Sequence, residues 1–456
     1  MSYVPPPRPT TDTGQMPPAR LYGADFARDP HGLYARLRSR WGPIAPVEVG
    51  PGVPAWLVLG YQEALAVARN VELFSSDARH WHATAGGRLP QDSPLLPMVG
   101  PRPALTRQDG PAHLRLRQTV LDVLQRIDRQ RLRRVTATAA DALIDAWLQH
   151  GQADLVGRFA RPVASLAFTR LLGIRDSDGE TLHTLVSKVV DSASEARAAD
   201  HDLQASLLRL IDARRTNPAE DIPSWLLQTA AGLSEAELVH QLTVLVLTGL
   251  ESTTGLIGNT LVHLLSRPRL LAAVAAGRST VSDALELALW ADPPVHNVAA
   301  RWATSDLTFA GRRIQRGDVL VLALAAANAD PAAHHGTNSP TPTVNRAHLA
   351  WGAGPHACPA RDPARLIAES AVERLLLRVP AMRLAVEPTA LLWRPSPWAR
   401  ALTALPVHFP PTAPPPRPVP EPEPETAPLK PAENEDPDET GRKPRTTNWA
   451  WWSLDL

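Results

Sequence analysis

The run SEAELVHQLTVLVLTGLESTTGLIGNTLVHLLS, residues 234–266, constrains this chain more than any other segment. Ser234 and Glu237 have the spacing of a capping box. About 33 helical residues at 1.5 Å each give a rod of roughly 50 Å. The rod is apolar on nearly every face, so other elements must surround it. Its middle nevertheless carries Thr248, Gly249, Glu251, Ser252, Thr253 and Thr254. Burying a carboxylate is costly unless it meets a partner, water or a ligand. Gly249 removes a side chain, which lets a large group approach the backbone. Two readings stand at this point: a cofactor or substrate lying across the helix, or a solvent-touching face whose hydroxyls bond back to the preceding turn.

Helical spacing dominates elsewhere, as in ADALIDAWL, VASLAFTRLLGI and QASLLRLIDARR. PIAPVEV (43–49) and AWLVLG (55–60) read as a hairpin around Gly50–Pro54, and 307–326 as a strand pair followed by a longer apolar strand. The class is mainly α with small β-sheets. Many of the 47 prolines gather at the two ends. This divides the chain into a flexible proline-rich arm (1–20), a folded body (21–409), an extended Pro/Glu-rich linker (410–448) and a Trp-rich terminal segment (449–456). A tryptophan-rich segment after a linker has the chemistry of a partner-docking motif. Formal net charge is +1, without the basic excess that nucleic-acid or membrane-surface binding needs. Neither a membrane-spanning apolar run nor a signal pattern is present, so the expected location is the cytoplasm.

The chain has one cysteine, in HLAWGAGPHACPARDPARLIAESAVERLL, 348–376. That rules out an intrachain disulfide framework or a cysteine-rich zinc site. Gly352 and Gly354 make a turn able to press close to a flat ligand. Pro359 is expected at the first position of the following helix, and the helix dipole there favours thiolate at Cys358. The bland alternative is an inert core cysteine.

WGAGPHAC resembles the cysteine-ligand loop of bacterial cytochromes P450, F-G-x-G-x-H/R-x-C-x-G, with Gly352, Gly354, His356 and Cys358 matching and Trp351 and Ala360 departing. Other segments resemble the same family in its order: 55–81 its early sheet and helix, DGPAHLRLR (109–117) its H-x-x-x-R segment with His113 and Arg117, TGLESTTG (248–255) its oxygen-binding segment, and DPPVHNVAARWAT (292–304) its propionate-binding strand with Arg301. The resemblance covers roughly residues 21–409 and is closest to actinobacterial, streptomycete-like members. It implies the cytochrome P450 fold with haem b (iron protoporphyrin IX), Cys358 as the axial iron ligand, and His113, Arg117, Arg301 and His356 as propionate partners. Gly249 would leave room for oxygen over the iron. Glu251 and Ser252, with Thr253 able to share the role, would be the acid–alcohol pair that delivers protons. Thr248 stands where the family has alanine. The implied activity is a haem-thiolate monooxygenase acting on a small apolar organic substrate, with electrons from a ferredoxin-type partner. Residues near 82–108, with Leu95, Leu96 and Met98 as apolar lining, and near 176–214 would roof the substrate site.

One family signature is missing. Aligned on Asp292-Pro293-Pro294, the E-x-x-R positions hold Leu287 and Trp290. Glu286 is one residue off, about 100° around the helix. No arginine follows in the meander until Arg346. The expectation is that the buried ion triad is dismantled and replaced by apolar groups, as in a streptomycete subfamily that lacks E-x-x-R. Members of that subfamily tend to be encoded beside signalling components. This supplies an alternative function: a haem-binding regulatory or scaffold protein that docks a signalling partner through its C-terminal tail. A peroxide-using haem enzyme is a third reading.

Overall fold

The computed structural model describes residues 18–81, 89–90, 92–229, 232–334 and 345–413. Most of the N-terminal arm, the linker beyond residue 413 and the Trp-rich segment lie outside the described residues.

The helices that position the site are α1 (Pro30–Trp41), α2 (Gly110–Gln125), α3 (Arg129–Asp145), α4 (Arg161–Leu172), α5 (Gly179–Val190), α6 (Ala196–Thr216), α7 (Glu235–Leu265), α8 (Val281–Ala291) and α9 (Arg361–Arg378). The long central helix is α7, with Ser234 and Glu237 forming the reciprocal capping box. Its N-terminal half packs Leu238, Leu242, Val246 and Leu250 into one apolar cluster with α4–α6. Its C-terminal half packs Ile257, Leu261 and Leu264 into a second cluster with α3, α8 and α9. This double burial is why the segment can be apolar all round.

Six strands form one sheet in the order β1-β2-β3-β6-β5-β4, taking β1 as Ala19–Arg20, β2 as Ile44–Gly50, β3 as Val53–Val58, β4 as Phe74–Ser75, β5 as Asn297–Ala303 and β6 as Val319–Ala323. The hairpin read from 43–60 is β2–β3. The pair read within 307–326 is Leu307–Phe309 with Arg312–Ile314, followed by β6; the chain turns helical at Leu324. The register of β5 against β6 shifts between Val298 and Arg301, where Ala300 takes φ 60°. A bulge re-aims the side chains beyond it, here the functionally important Arg301.

Asn259 ties α7 to the chain following α8: its Nδ2 donates to the carbonyls of Asp292 (2.8 Å) and Arg400 (2.9 Å). The Asp292 carboxylate in turn gathers His31 (2.9 Å), His263 (3.3 Å) and Arg400 (3.5 Å). That cluster fastens α1 to the helical core.

The structure corrects the expected loss of the ion triad. Glu286 is 2% exposed and is not stranded. It pairs with Arg365 of α9, accepts from His348 at 2.9 Å, and has Arg346 at 3.6 Å. Burial pushes its carboxyl up, but hydrogen bonds from His348 and Arg365 outweigh that and hold it below its ordinary value. The missing arginine of the meander has a counterpart after all in Arg346. Trp290 is not an apolar plug: its indole N–H donates to the Asn345 carbonyl at 2.5 Å and its ring meets His348 edge-on at 5.8 Å. The charge set has moved one residue along the helix, and its partners come from both sides of the cysteine loop.

Removing one member of a buried ion set strands the others and costs about 3–5 kcal/mol. Glu286→Gln is therefore expected to lower the urea midpoint strongly, and Leu287→Ala, at a half-buried position, much less. The reverse order would show that Leu287 is the anchor.

Candidate active site

The cysteine loop is built by short-range constraints. Gly352 (φ 70°) and Gly354 (φ 67°) occupy the left-handed region. A Cβ on Gly354 would stand 2.4 Å from the Ala68 carbonyl oxygen, so the loop presses directly on the helix 61–69. The Cys358 N–H closes it by donating to the Trp351 carbonyl at 2.7 Å. Helix α9 begins at Arg361, and Pro359 lies in the preceding turn rather than at the first helical position. Cys358 is exposed at its own surface, yet the surrounding protein pushes its thiol up. The Ala360 N–H, Arg117 and Arg361 only partly oppose this. Burial thus favours the neutral thiol, and a coordinated metal ion would favour the thiolate.

Around this loop the sequence-predicted cations converge. His113 is 2% exposed, and its ring lies 4.1 Å from that of His356. His356 Nε2 contacts Asp109 Oδ1 and Ser76 Oγ, both at 3.0 Å. The Arg117 guanidinium donates to the Ala357 carbonyl at 2.7 Å, and that of Arg301 to the Ala300 carbonyl at 3.1 Å. Three buried nitrogens have no partner among the described residues: His113 Nε2, His356 Nδ1 and Arg301 Nε. Burial lowers Arg301 to about 10, so it stays charged near neutrality. Burial, then His356, lowers His113 to about 4. Leaving buried polar nitrogens unpartnered is costly; Arg301 Nε donates, and an imidazole nitrogen donates when it carries a proton, so a group bearing carboxylates would pair with them. The residues present fit haem with its propionates.

Two site residues escaped the sequence reading. Arg107 is buried, donates to the Met98 and Thr106 carbonyls and lies 5.6 Å over the Trp302 ring. Burial, then Arg301, lowers it to about 9. Asp109 accepts from Ser75 Oγ (2.6 Å) and the Ser76 N–H (2.8 Å) besides contacting His356. Burial pushes its carboxyl up, but those bonds prevail and hold it at about 2. Asp109 was readable as the first residue of DGPAHLRLR, directly before α2. Arg107 carried no signal.

On the other side of the cavity, α7 presents Val244, Leu247, Thr248, Glu251 and Ser252. Glu251 is 3% exposed and paired with Arg394, which also holds Asp191 at 2.7 Å. Ser187 Oγ donates to it at 3.3 Å, and His183 Nε2 stands 3.8 Å away. Two expectations, for Gly249 and Thr253, change here. Gly249 is not in the lining; a Cβ there would strike Phe168 of α4 at 2.6 Å, so the glycine serves helix packing. Thr253 is 1% exposed, off the lining, with its hydroxyl unpartnered among the described residues. Thr248 Oγ1 bonds back to the Val244 carbonyl at 2.7 Å. Ser252 alone among these hydroxyls lines the cavity without a back-bond to the helix.

The cavity offers about 180 Å3 of room for water-sized centres and is partly open to solvent. Pro97, Met98, Val190, Pro294 and Trp398 supply apolar walls. Of the residues read as lining, Met98 is there. Leu95 instead packs against Gly50, and Leu96 is off the wall. Segment 82–88 lies outside the described residues.

This architecture is shared with known proteins. The chain is 32% identical to the cytochrome P450 monooxygenase PikC of Streptomyces venezuelae, over 88% of this chain and 94% of that one. It is 31% identical to the 6-deoxyerythronolide B hydroxylase of Saccharopolyspora erythraea, over 85% and 98%. The chain belongs to the cytochrome P450 family. No family model matches it. Among solved structures, CYP154A1 of Streptomyces coelicolor superposes with a TM-score of 0.77 at 29% identity, over 86% of this chain and all of that one. The tirandamycin C-bound P450 monooxygenase TamI gives 0.76 at 29% identity, over 86% and 100%. As a cytochrome P450 the chain is a monooxygenase whose cofactor is haem (iron protoporphyrin IX). Among the described residues no helix is long and apolar enough to cross a membrane.

The buried histidines set a pH limit. Burial lowers His183 to about 4 and His240 to about 3, against an ordinary 6.5. Both are depressed, so their contribution to stability is complete above 6.5 and lost as pH falls toward those values. At pH 5 each should have cost about 2 kcal/mol relative to neutrality. Urea unfolding at pH 7 and pH 5 measures this, and His183→Gln should flatten the difference.

Proposed function

We propose that this P450 inserts one oxygen atom from dioxygen into a small, largely apolar organic molecule, with electrons from a ferredoxin-type partner. The observation that carries the reading is the convergence of three unpartnered buried nitrogens, from three separate motifs, on the loop that holds the only thiol. Cys358 would ligate the iron, and Arg301, His113, His356 and Arg117 would hold the propionates. Bound haem supplies oxygen activation, its thiolate ligand favouring O–O cleavage.

The chain's own residues do the rest. Arg301, aimed inward by the bulge in β5, offers a guanidinium to a carboxylate in fixed geometry. His356 Nε2 is in contact with Asp109, and Nδ1, the histidine's unpartnered nitrogen, donates to a propionate when it carries a proton. Val244, Leu247, Val190 and Trp398 exclude water from the substrate side. Ser252 faces that space one residue from Glu251, the acid that can replace a proton the hydroxyl passes on. Of the two α7 hydroxyls that line the cavity, Ser252 is the one without a bond to its own helix, since Thr248 donates to the Val244 carbonyl; Thr253 is off the lining.

Two features support the substrate and electron-donor assignments. The relatives' names include a 6-deoxyerythronolide B hydroxylase and a vitamin D(3) 25-hydroxylase, enzymes named for hydroxylating organic molecules. Arg361, directly electrostatic to Cys358 and 59% exposed, offers an acidic electron carrier a cation beside the thiol. The scaffold alternative is not favoured, because named relatives are monooxygenases and hydroxylases and its docking segment lies outside the described residues.

The reduced carbon monoxide complex should show the long-wavelength Soret band that names the family, and Cys358→Ser should abolish it. A band unchanged in that variant overturns the ligand assignment. Ser252→Ala should raise the fraction of reducing equivalents lost as free hydrogen peroxide about tenfold or more, the lower range of general acid–base contributions being larger still. Unchanged coupling would remove Ser252 from the relay.

A further inference from the structure

Behind Glu251, away from the substrate cavity, α7 carries a second polar stripe. Thr254, Gly255, Gly258 and Asn259 follow Glu251 at steps of three, four, seven and eight residues, which places them on one helix face. They line a small cavity with ≈10 Å3 of room for water-sized centres together with Arg161, His183 and Arg394. That is about the room one water centre needs.

The chemistry of the wall is unusual for an empty space. Four buried polar atoms on its lining residues lack a hydrogen-bond partner among the described residues: both ring nitrogens of His183, Arg161 Nε and Asn259 Oδ1. The Asn259 orientation is fixed, because its Nδ2 is spent on two carbonyls, so only an acceptor remains to offer. Arg394 and Arg161 are donors only, and a neutral imidazole is one donor and one acceptor. A wall that mixes donors with acceptors suits water, which is both, better than an anion, which only accepts. A Cβ on Gly258 would meet nothing within 4 Å, so glycine here keeps space open rather than permitting a close contact.

Two of these residues touch Glu251 itself. Arg394 is paired with it, and His183 Nε2 lies 3.8 Å from its Oε2. That distance is too long for a hydrogen bond but puts the two groups in direct electrostatic reach.

We propose that this cavity binds ordered water and that His183, with that water, is the positioning residue that returns a proton to Glu251. The proposal rests on the acid–alcohol reading above. After Glu251 gives up a proton toward Ser252, the Nε2–H of His183 passes one to the carboxylate, directly or through water. Nδ1 takes one from the cavity water, which is reprotonated from solvent. One proton enters for each one delivered, no electron moves, and the imidazole returns by exchange of its tautomer. Burial keeps His183 neutral at physiological pH, as such a relay requires.

A high-resolution crystal structure of the haem-loaded protein should show water within hydrogen-bonding distance of at least two of His183, Arg394 and Asn259. A dry cavity, or density for an anion, overturns the water assignment. The functional arm follows NADH oxidation driven by a surrogate ferredoxin and its reductase, reading hydrogen peroxide released per NADH in H2O and in D2O. His183→Phe removes the relay, and Gly258→Val fills the cavity without altering charge. Both should raise peroxide release and enlarge the solvent isotope effect, each by several-fold, with the carbon monoxide spectrum unchanged. His183→Gln, which keeps a donor and an acceptor, should recover part of the loss. If both variants couple normally while Glu251→Gln and Ser252→Ala uncouple, this inference fails alone. If those two also couple normally, the acid–alcohol reading fails with it.

Discussion

One buried carboxylate holds the cysteine loop at both ends. Glu286 reaches His348, ten residues before Cys358, and Arg365, seven residues after it. The segment between carries the two left-handed glycines, the hydrogen bond from Cys358 to Trp351 and the start of α9. A thiol that must meet a metal from a fixed direction cannot sit on a loop whose ends drift, because the tolerance for a functional geometry is a fraction of an ångström. Charged hydrogen bonds at buried sites are directional and costly to break. Glu286 thus converts the packing of α8 against α9 into a defined position for sulfur.

The position of this carboxylate explains how the chain does without E-x-x-R. A shift of one residue turns a side chain by about 100°, which would ruin a partner set fixed in space. Here the partners moved as well. Arg365 comes from α9, and His348 and Arg346 from the approach to the loop, so each reaches the new direction of the acid. Trp290, freed from a charge role, caps the arrangement by stacking edge-on against His348 and donating to the Asn345 carbonyl. The ion set persists as an electrostatic solution although its sequence signature is absent.

What the sequence made legible was local. The capping box of α7, the β2–β3 hairpin, the glycine pattern of the cysteine loop and the His113/Arg117 pair each depend on residues a few positions apart, where turn chemistry and helical period act. The misreadings share a different cause. Glu286 looked stranded because its partners lie 62 and 79 residues away in the chain. Gly249 and Thr253 were assigned to the cavity by motif, but which face of α7 looks into the cavity depends on how the helix is rotated against α4. Phe168, far away in sequence, fills the place of the Gly249 side chain. Pro359 looked like a first helical residue, yet the loop closure at Trp351 delays the helix to Arg361. Arg107 carried no pattern because its partners are backbone carbonyls and a ring face.

The same accounting links the two ends of the catalytic apparatus. Most buried polar atoms in a folded protein find a partner, and each exception costs about 1–3 kcal/mol. Among the exceptions in the described residues are His113, His356 and Arg301 around the cysteine loop, and His183, Arg161 and Asn259 behind Glu251. The first group is one guanidinium and two imidazoles, which suit carboxylates; the second mixes donors with acceptors and matches water. Glu251 and Ser252 stand between them on α7, with the substrate cavity on one side and the small polar cavity on the other. A chain selected for stability alone would pair or remove these atoms. Keeping them unpaired at two sites flanking one acid–alcohol pair is intelligible if the missing partners are ligands, so the folding free energy withheld from the empty protein is recovered when those ligands bind.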